Sequence, residues 1–359
     1  MAKILFDCER LKYPNTGLYT FCVDLGRALL KNVSPDQEIT AYVPSSSNGI
    51  FGEHIPYKIQ KSWHKLFVPD SSRFDIWHST NQISRYLPSS TRTQVILTIH
   101  DLNFMIEKKN RPGKIKTHLQ QIQKRIDRAG IIVCISNFVA EQVKAQFRLN
   151  DKPLHVIYNG CTFEDYPDFN EPAYRPQKPF LYTIGTVLPK KNFHVLPALL
   201  QHNDYELIVA GNLSAPDYID RINEEAKKYN VADRVKIIGA VSNEDRSWYY
   251  RQCTAFLFPS IAEGFGLPVI EAMHYGKPVF LSNHTSLPEI GSDAAYYFQD
   301  FEPGHMQDVL VTGLANFKSS DMAQKARNRA AQFTWEKTAK AYLQLYTDLE
   351  SKAQAAHFK

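Results

Sequence analysis

The sequence predicts an α/β protein built as two doubly wound, parallel-sheet domains. Three observations carry that expectation. Short β-rich apolar runs alternate with amphipathic helical stretches, the alternation halts at a proline-rich stretch near residue 170, and it then restarts. A length of 359 residues suits two such domains.

In the first half, strands are expected at 4–8, 39–43, 75–79, 95–100, 131–135 and 155–158. Helices are expected at 18–30, where Phe21, Leu25, Ala28 and Leu29 share one side, and at 114–128 and 138–147. Ser136 and Asn137 offer side-chain oxygens to the open N–H groups of the last of these. Between Asp165 and Pro179 there are four prolines in fifteen residues, which no helix interior or central strand accommodates. This stretch marks a linker, so residues 1–168 and 180–334 are the expected domains, joined by 169–179. Past it, strands are expected at 180–184, 206–210, 235–238, 255–258, 278–281 and 295–298, with helices at 217–229, 243–251 and 267–274 between them. A long amphipathic helix from Trp335 ends the chain.

Composition narrows the class. With 43% hydrophobic, 12% aromatic and 22% charged residues the chain has ample apolar area for packed cores, which excludes a disordered protein. No run of 18 apolar residues exists to span a bilayer. The N-terminal run Ile4-Leu5-Phe6 stops at Asp7, too short for a secretion signal. Five scattered cysteines (8, 22, 134, 161 and 253), never in a CxxC pair, fit reduced thiols rather than a disulfide frame or a zinc site. A cytoplasmic protein is expected. The net charge of +5 is uneven: residues 1–170 hold 22 basic against 16 acidic side chains, and the rest 20 against 21. Lys108, Lys109, Arg111, Lys114, Lys116, Lys124, Arg125 and Arg128 crowd one segment beside a single acid, Asp127. Such a run favours a phosphate-rich partner or an anionic membrane surface, and reads equally as a solvated helix face. No nucleic-acid-binding signature accompanies it.

Four groups of residues stand where predicted strands end. In Phe258-Pro-Ser-Ile-Ala-Glu-Gly-Phe-Gly-Leu-Pro-Val-Ile-Glu271 a strand runs through a loop into a helix start. Gly264 and Gly266 let backbone N–H groups approach a ligand, and the helix start favours an anion. Glu263 and Glu271 place carboxylates at two depths, able to accept hydrogen bonds from two hydroxyl-bearing groups. With 17 glutamates a pair eight apart arises about once by chance, so the weight rests on the Gly-Phe-Gly-Leu-Pro insert and its context. In Tyr182-Thr-Ile-Gly-Thr-Val-Leu-Pro-Lys-Lys-Asn192, Lys190 and Lys191 can neutralise a pyrophosphate. His100-Asp101 closes a third strand, where a neutral imidazole can exchange hydrogen bonds near pH 7. Finally, Gly17 sits in the loop Tyr13–Tyr19 between the first strand and first helix. Singly, the last three also read as structural; their shared placement after strands of both halves is the argument.

On these residues the chain resembles the GT-B glycosyltransferases of the retaining family GT4. The resemblance spans nearly the whole sequence. It rests on the Gly17 loop, Thr98-Ile-His-Asp101, Ile135-Ser-Asn-Phe138 with Val156-Ile-Tyr-Asn-Gly160, Gly185-Thr-x-x-Pro-Lys-Lys-Asn192, and Glu263 with Glu271. It implies two Rossmann-like domains facing across a cleft, an acceptor domain first and a donor domain second, with residues 335–359 packing back on the first. It also implies site roles. Glu271 would hold the donor ribose. Glu263, Gly264 and the backbone of Phe265, Gly266 and Leu267 would contact the transferred sugar. Lys191, helped by Lys190, would stabilise the diphosphate, with Gly185 and Thr186 alongside. His100 would stand beside the anomeric region, and Gly17 near the diphosphate and acceptor. Catalytic weight would fall on His100, Lys191 and Glu263, and acceptor or membrane contact on Lys108, Lys109, Arg111 and Lys114. Relatives often carry Arg where this chain has Thr186 and Lys190, so Lys191 would bear more of the anion. No metal or other cofactor is expected. The implied reaction is retaining transfer of a hexose, from GDP-mannose ahead of a UDP-sugar, to a glycan or lipid-linked glycan in bacterial surface polysaccharide assembly. The enzyme would work in the cytoplasm, with contact to the inner face of the plasma membrane left open. A nucleotide-sugar 2-epimerase and a catalytically silent sugar-nucleotide-binding subunit are the alternatives.

Overall fold

In the computed structural model, which describes residues 2–14 and 16–357, the chain divides into two compact units. The first comprises residues 1–162 together with 333–359, and the second residues 163–332.

The first unit is a seven-stranded sheet, all parallel, formed by β1 (Ala2–Asp7), β2 (Gln37–Val43), β3 (Tyr57–Ile59), β4 (Ile76–Ser79), β5 (Gln94–Ile99), β6 (Ile131–Cys134) and β7 (Leu154–Val156). Their spatial order is β3-β2-β1-β4-β5-β6-β7, so the winding reverses between β1 and β4. Alternate residues Ile4 and Phe6 of β1, with Ile39, Ala41 and Val43 of β2, turn one face into a buried core. The helix α1 (Gly17–Asn32) fills that core with Phe21, Cys22, Leu25 and Leu29. The last helix, Trp335–His357, completes it through Trp335, Ala339, Tyr342, Leu345 and Tyr346. Its attachment is also polar. His78 Nδ1 meets the Tyr346 hydroxyl at 2.7 Å, His78 Nε2 meets Thr98 Oγ1 at 2.9 Å, and Thr98 Oγ1 meets the Tyr342 hydroxyl at 2.9 Å. Burial lowers His78 to a pKa of about 3, so this chain of hydrogen bonds is neutral.

The second unit repeats the plan with six parallel strands: β8 (Phe180–Ile184), β9 (Glu206–Ala210), β10 (Val235–Gly239), β11 (Ala255–Phe258), β12 (Val279–Ser282) and β13 (Tyr296–Phe298). The order is β10-β9-β8-β11-β12-β13, and the reversal falls between β8 and β11. In open parallel sheets the crevice outside the strand carboxyl ends at such a reversal is where ligands bind.

Several features depart from expectation. The edge strand β3 was not anticipated, since its three residues are only half buried and show no alternation. The helices Pro303–Ser319 and Met322–Ala330 were also unanticipated; each buries just three residues. The proline-rich stretch is not a free linker but is strapped to the second unit. Asp245 Oδ1 accepts from Ala173 N at 2.8 Å, and Glu206 Oε1 accepts from Gln177 N at 2.6 Å and Lys178 N at 3.0 Å. The Tyr249 hydroxyl accepts from Tyr174 N at 2.9 Å. Prolines leave few donors here, and two carboxylates and a phenol satisfy these four. The structural division also sharpens the charge asymmetry. The first unit holds 26 basic against 16 acidic side chains, a net +10, and the second 16 against 21, a net −5.

Candidate active site

The second unit gathers its expected residues at the reversal between β8 and β11. After β8 the chain passes Gly185 (φ 153°) and Thr186 into a 3-10 turn, Pro189–Lys191, that Asn192 ends in the left-handed region (φ 59°). After β11 the chain reaches Glu263 and Gly264 and then Gly266 (φ 116°), which opens the helix Leu267–His274. Topology brings the two loops together, and hydrogen bonds fasten them. The Lys190 carbonyl accepts from Ile261 N at 2.9 Å and from Ser260 Oγ at 3.1 Å. Residues 72 positions apart then meet: Lys191 Nζ lies 2.6 Å from Glu263 Oε1, with side chains 12% and 13% exposed. The same ammonium stands 4.7 Å over the Phe258 ring.

Glycine is required around this lysine. A Cβ on Gly185 would stand 3.2 Å from Lys191 Cε, and one on Gly211 (φ 126°) would fall 2.0 Å from the Gly185 carbonyl oxygen. Gly211 therefore holds the backbone that makes room for Lys191.

Glu271 sits one turn into the helix. Its Oε2 accepts from the Tyr250 hydroxyl at 2.7 Å, and Arg246 Nη1 approaches its Oε1 at 3.6 Å. Burial and the nearby Glu271 charge push the Tyr250 phenol well above its usual value, so it stays a donor. The Glu263–Phe265 loop is braced from the segment after β12. Thr285 Oγ1 accepts from Glu263 N at 3.2 Å, and Ser286 Oγ donates to the Phe265 carbonyl at 2.9 Å. Thr285 adopts φ 57°, a costly conformation for a β-branched residue.

The first unit holds the other expected residues. Gly17 begins α1, where the Thr16 side chain caps Tyr19 N at 3.3 Å, and nothing lies within 4 Å of a Cβ placed on it. Asn15 of the same loop lies outside the described residues. His100 follows β5 and is only 6% exposed. Its Nε2 donates to the Thr80 carbonyl at 2.8 Å, its ring meets Phe21 edge-on at 4.6 Å, and burial lowers its pKa to about 4. It is thus a neutral imidazole with Nδ1 as the lone-pair nitrogen.

The basic segment divides. Lys109, Arg111 and Lys114 are exposed, while Lys108 is half buried with Nζ 3.0 Å from His118 Nε2. Arg125 and Arg128 serve the fold: Arg125 Nε donates to the Ser84 carbonyl at 2.9 Å, and Arg128 Nη2 to the Thr93 carbonyl at 3.0 Å. Both lie on the helix Pro112–Arg128 and hold the connection between β4 and β5.

Several residues of these sites escaped the sequence reading. Gly211, Ser260, Thr285, Ser286, Arg246 and Tyr250 act through backbone approach or by orienting another side chain, and no local pattern signals that. Asp7 had a signal, an acid ending the apolar first strand. It is buried at the reversal of the first sheet, accepting from Ser84 Oγ at 2.7 Å, Glu9 N at 3.0 Å and Gln60 Nε2 at 3.1 Å. Burial raises its pKa to about 7, helped by the Glu9 charge and opposed by the bonds from Ser84 and Glu9 N and by Lys12.

Two family models match the chain in succession: Glycosyltransferase Family 4 over residues 21–164 and Glycosyl transferases group 1 over residues 167–333. The chain is a glycosyltransferase, built from a family 4 domain and a group 1 domain. The enzyme is 25% identical to O-antigen chain mannosyltransferase B of Escherichia coli, over 93% of this chain and 96% of that protein. It is 28% identical to the serotype-specific mannosyltransferase WbdA of Escherichia coli over 71% of its own residues, which span 34% of that relative. Among solved structures, sucrose-phosphate synthase from Thermosynechococcus elongatus matches with TM-score 0.75 at 18% identity, covering 98% of this chain and 100% of that one. HepE from Anabaena, in complex with UDP and glucose, matches at 0.69 and 16%, covering 97% and 100%. These likenesses show the GT-B fold.

Proposed function

We propose that this glycosyltransferase moves a hexose from a nucleoside diphosphate sugar to a hydroxyl of a glycan or lipid-linked glycan, with retention at the anomeric carbon, in bacterial surface polysaccharide assembly. The observation that carries the reading is the meeting of Lys191 and Glu263 at the β8–β11 reversal, beside a glycine-opened helix start and with Glu271 one turn below.

Each group has a chemical task there. Glu271, oriented by Tyr250 and Arg246, accepts hydrogen bonds from the ribose hydroxyls. The positive end of the helix Leu267–His274 favours the anionic diphosphate. As the bond from the anomeric carbon to the diphosphate oxygen breaks, charge grows on that oxygen, and the Lys191 ammonium offsets it. Glu263, relieved of part of its hold on Lys191, accepts from the sugar hydroxyls. The acceptor oxygen bonds to the anomeric carbon on the face the diphosphate leaves, and its proton passes to the departing phosphate oxygen. Lys190, Gly185, Thr186, Gly264 and Phe265 shape the donor loops. Gly17 and His100, in the first unit, are assigned to the diphosphate and the sugar by the family resemblance. A resident metal is not required in this scheme, and transfer that persists in EDTA checks that.

GDP-mannose is proposed as donor, with UDP-sugars next. Support comes from the mannosyltransferase names of the Escherichia coli relatives. A thermal-shift series with GDP, UDP, ADP and dTDP sugars tests it. Ligand at 100 times its Kd adds about 2.7 kcal/mol of stability. A response to UDP-sugars alone replaces the mannosyl reading, and no response to any removes the donor site.

A further inference from the structure

The large exposed apolar side chains among the described residues of the first unit follow strands at one edge of its sheet. Among the described residues its large exposed hydrophobics are Tyr13, Trp63, Leu66, Phe67 and Ile83. Tyr13 follows β1, the 63–67 group follows β3, and Ile83 follows β4. Every strand of this sheet is parallel to its neighbours, so all three loops leave the same, carboxyl edge.

The turn after β3 concentrates the effect. Within Lys61-Ser-Trp-His-Lys-Leu-Phe67, Trp63 is 50%, Leu66 93% and Phe67 54% exposed, and Lys61 before them and Lys65 among them are exposed too. It is a built turn. His64 is buried beneath it, with Nδ1 2.8 Å from the Tyr42 hydroxyl, and Trp63 packs edge-on against that imidazole at 4.3 Å. Val68 is buried directly after the turn. Two anchors thus fix a backbone whose three largest apolar side chains have little protein cover.

We propose that the turn Lys61–Phe67 seats the protein on an anionic lipid bilayer. Trp63, Leu66 and Phe67 enter the interfacial layer, and Lys61 and Lys65 meet the headgroups. An indole with aliphatic and phenyl neighbours, flanked by lysines, suits the boundary between acyl chains and headgroups. Charge points the same way, since the first unit carries a net +10. Lys109, Arg111 and Lys114, exposed after β5, lie on the same edge four strand spacings along, roughly 19 Å. They supply a second basic contact without apolar residues of their own. A second copy of the chain fits less well, because a two-fold contact through this turn would set its lysines against each other. A soluble glycan fits less well too, as Leu66 and Phe67 have no group to bind hydroxyls.

The proposal does not depend on the donor or on glycosyl transfer, and its test reads neither. Full-length protein is mixed with vesicles of phosphatidylglycerol and phosphatidylethanolamine, or of phosphatidylcholine alone, with and without brominated acyl chains. Trp77, Trp248 and Trp335 are buried, so bromine quenching reports Trp63. The expected result is salt-sensitive binding to the anionic vesicles with tryptophan quenching. The combined change Trp63→Ser, Leu66→Ser and Phe67→Ser should lower the partition coefficient at least tenfold with the melting temperature kept. Wild-type protein that ignores anionic vesicles overturns the proposal. So does binding without quenching that the triple variant retains, which would assign attachment to Lys109, Arg111 and Lys114. A concentration-dependent dimer lost in the triple variant, with no lipid binding, assigns the turn to a second copy. Should the variant fail to fold, quenching of the wild type decides alone.

Discussion

Replacing Lys191 by methionine separates what the Lys191–Glu263 pair does for the fold from what the lysine does for the reaction. Methionine keeps an apolar stem over the Phe258 ring and removes the ammonium. The pair is 2.6 Å long with each side chain about one-eighth exposed, between the surface and buried limits. Stranding Glu263 should therefore cost about 2 kcal/mol, above a surface pair at up to about 1 and below a buried one at about 3–5. Loss of a stabiliser of the leaving diphosphate should lower kcat/KM by roughly 10²–10³. The double variant Lys191→Met/Glu263→Gln removes the stranded charge and should return stability to within about 1 kcal/mol of wild type, by the same reasoning. Activity should stay low. Equilibrium urea unfolding reads the first quantity, and release of nucleoside diphosphate from the donor reads the second. If the double variant regains activity together with stability, or if Lys191→Met costs less than threefold in kcat/KM, the leaving-group role is wrong.

Three further outcomes follow from the geometry. Glu271→Ala should weaken nucleotide binding at least tenfold (about 1.4 kcal/mol) in calorimetry, and Tyr250→Phe by a smaller factor, since it removes only the phenol that orients the carboxylate. Gly211→Ala drives a Cβ into the Gly185 carbonyl from a left-handed backbone, so it should destabilise by about 2 kcal/mol or more and weaken donor binding; wild-type unfolding in urea would refute the packing argument. Asp7 tests the pH dependence. Its folded pKa of about 7 lies above the ordinary 3.8, so its favourable term is complete below pH 3.8 and is lost as pH rises toward and through 7. Asp7→Asn should consequently flatten the fall in melting temperature between pH 4 and pH 7, and an unchanged fall would show the carboxyl is not buried as described.

Where local pattern and tertiary demand agree, the sequence alone located the elements. The strands at 180–184, 206–210 and 255–258 and the helix at 267–274 have the expected bounds, because buried parallel strands are continuous apolar runs and Gly266 with Pro268 punctuates the helix start. The residues 193–200 form a 3-10 helix with Pro197 inside it, which pattern reading passes over because proline removes the periodic signal. The candidate site shows the same divide. Lys191, Glu263 and Glu271 were visible as charged groups after strands, whereas the contact of Lys191 with Glu263 depends on β8 and β11 being neighbours. Gly211 and Thr285 matter through backbone geometry at positions far along the chain, and a sequence displays neither φ nor distance.

The helix that closes the first core, with its Tyr342 and Tyr346 hydroxyls tied to Thr98 and His78, has a consequence for biogenesis. It is translated only after the whole second unit has been made. At about 5–20 residues per second, the seven-stranded sheet waits roughly ten to thirty seconds on the ribosome with one face covered by α1 but not yet by the last helix. The half of the protein synthesised first is thereby the last to be finished, and during that interval the apolar surface left beside α1 is the natural target for a chaperone.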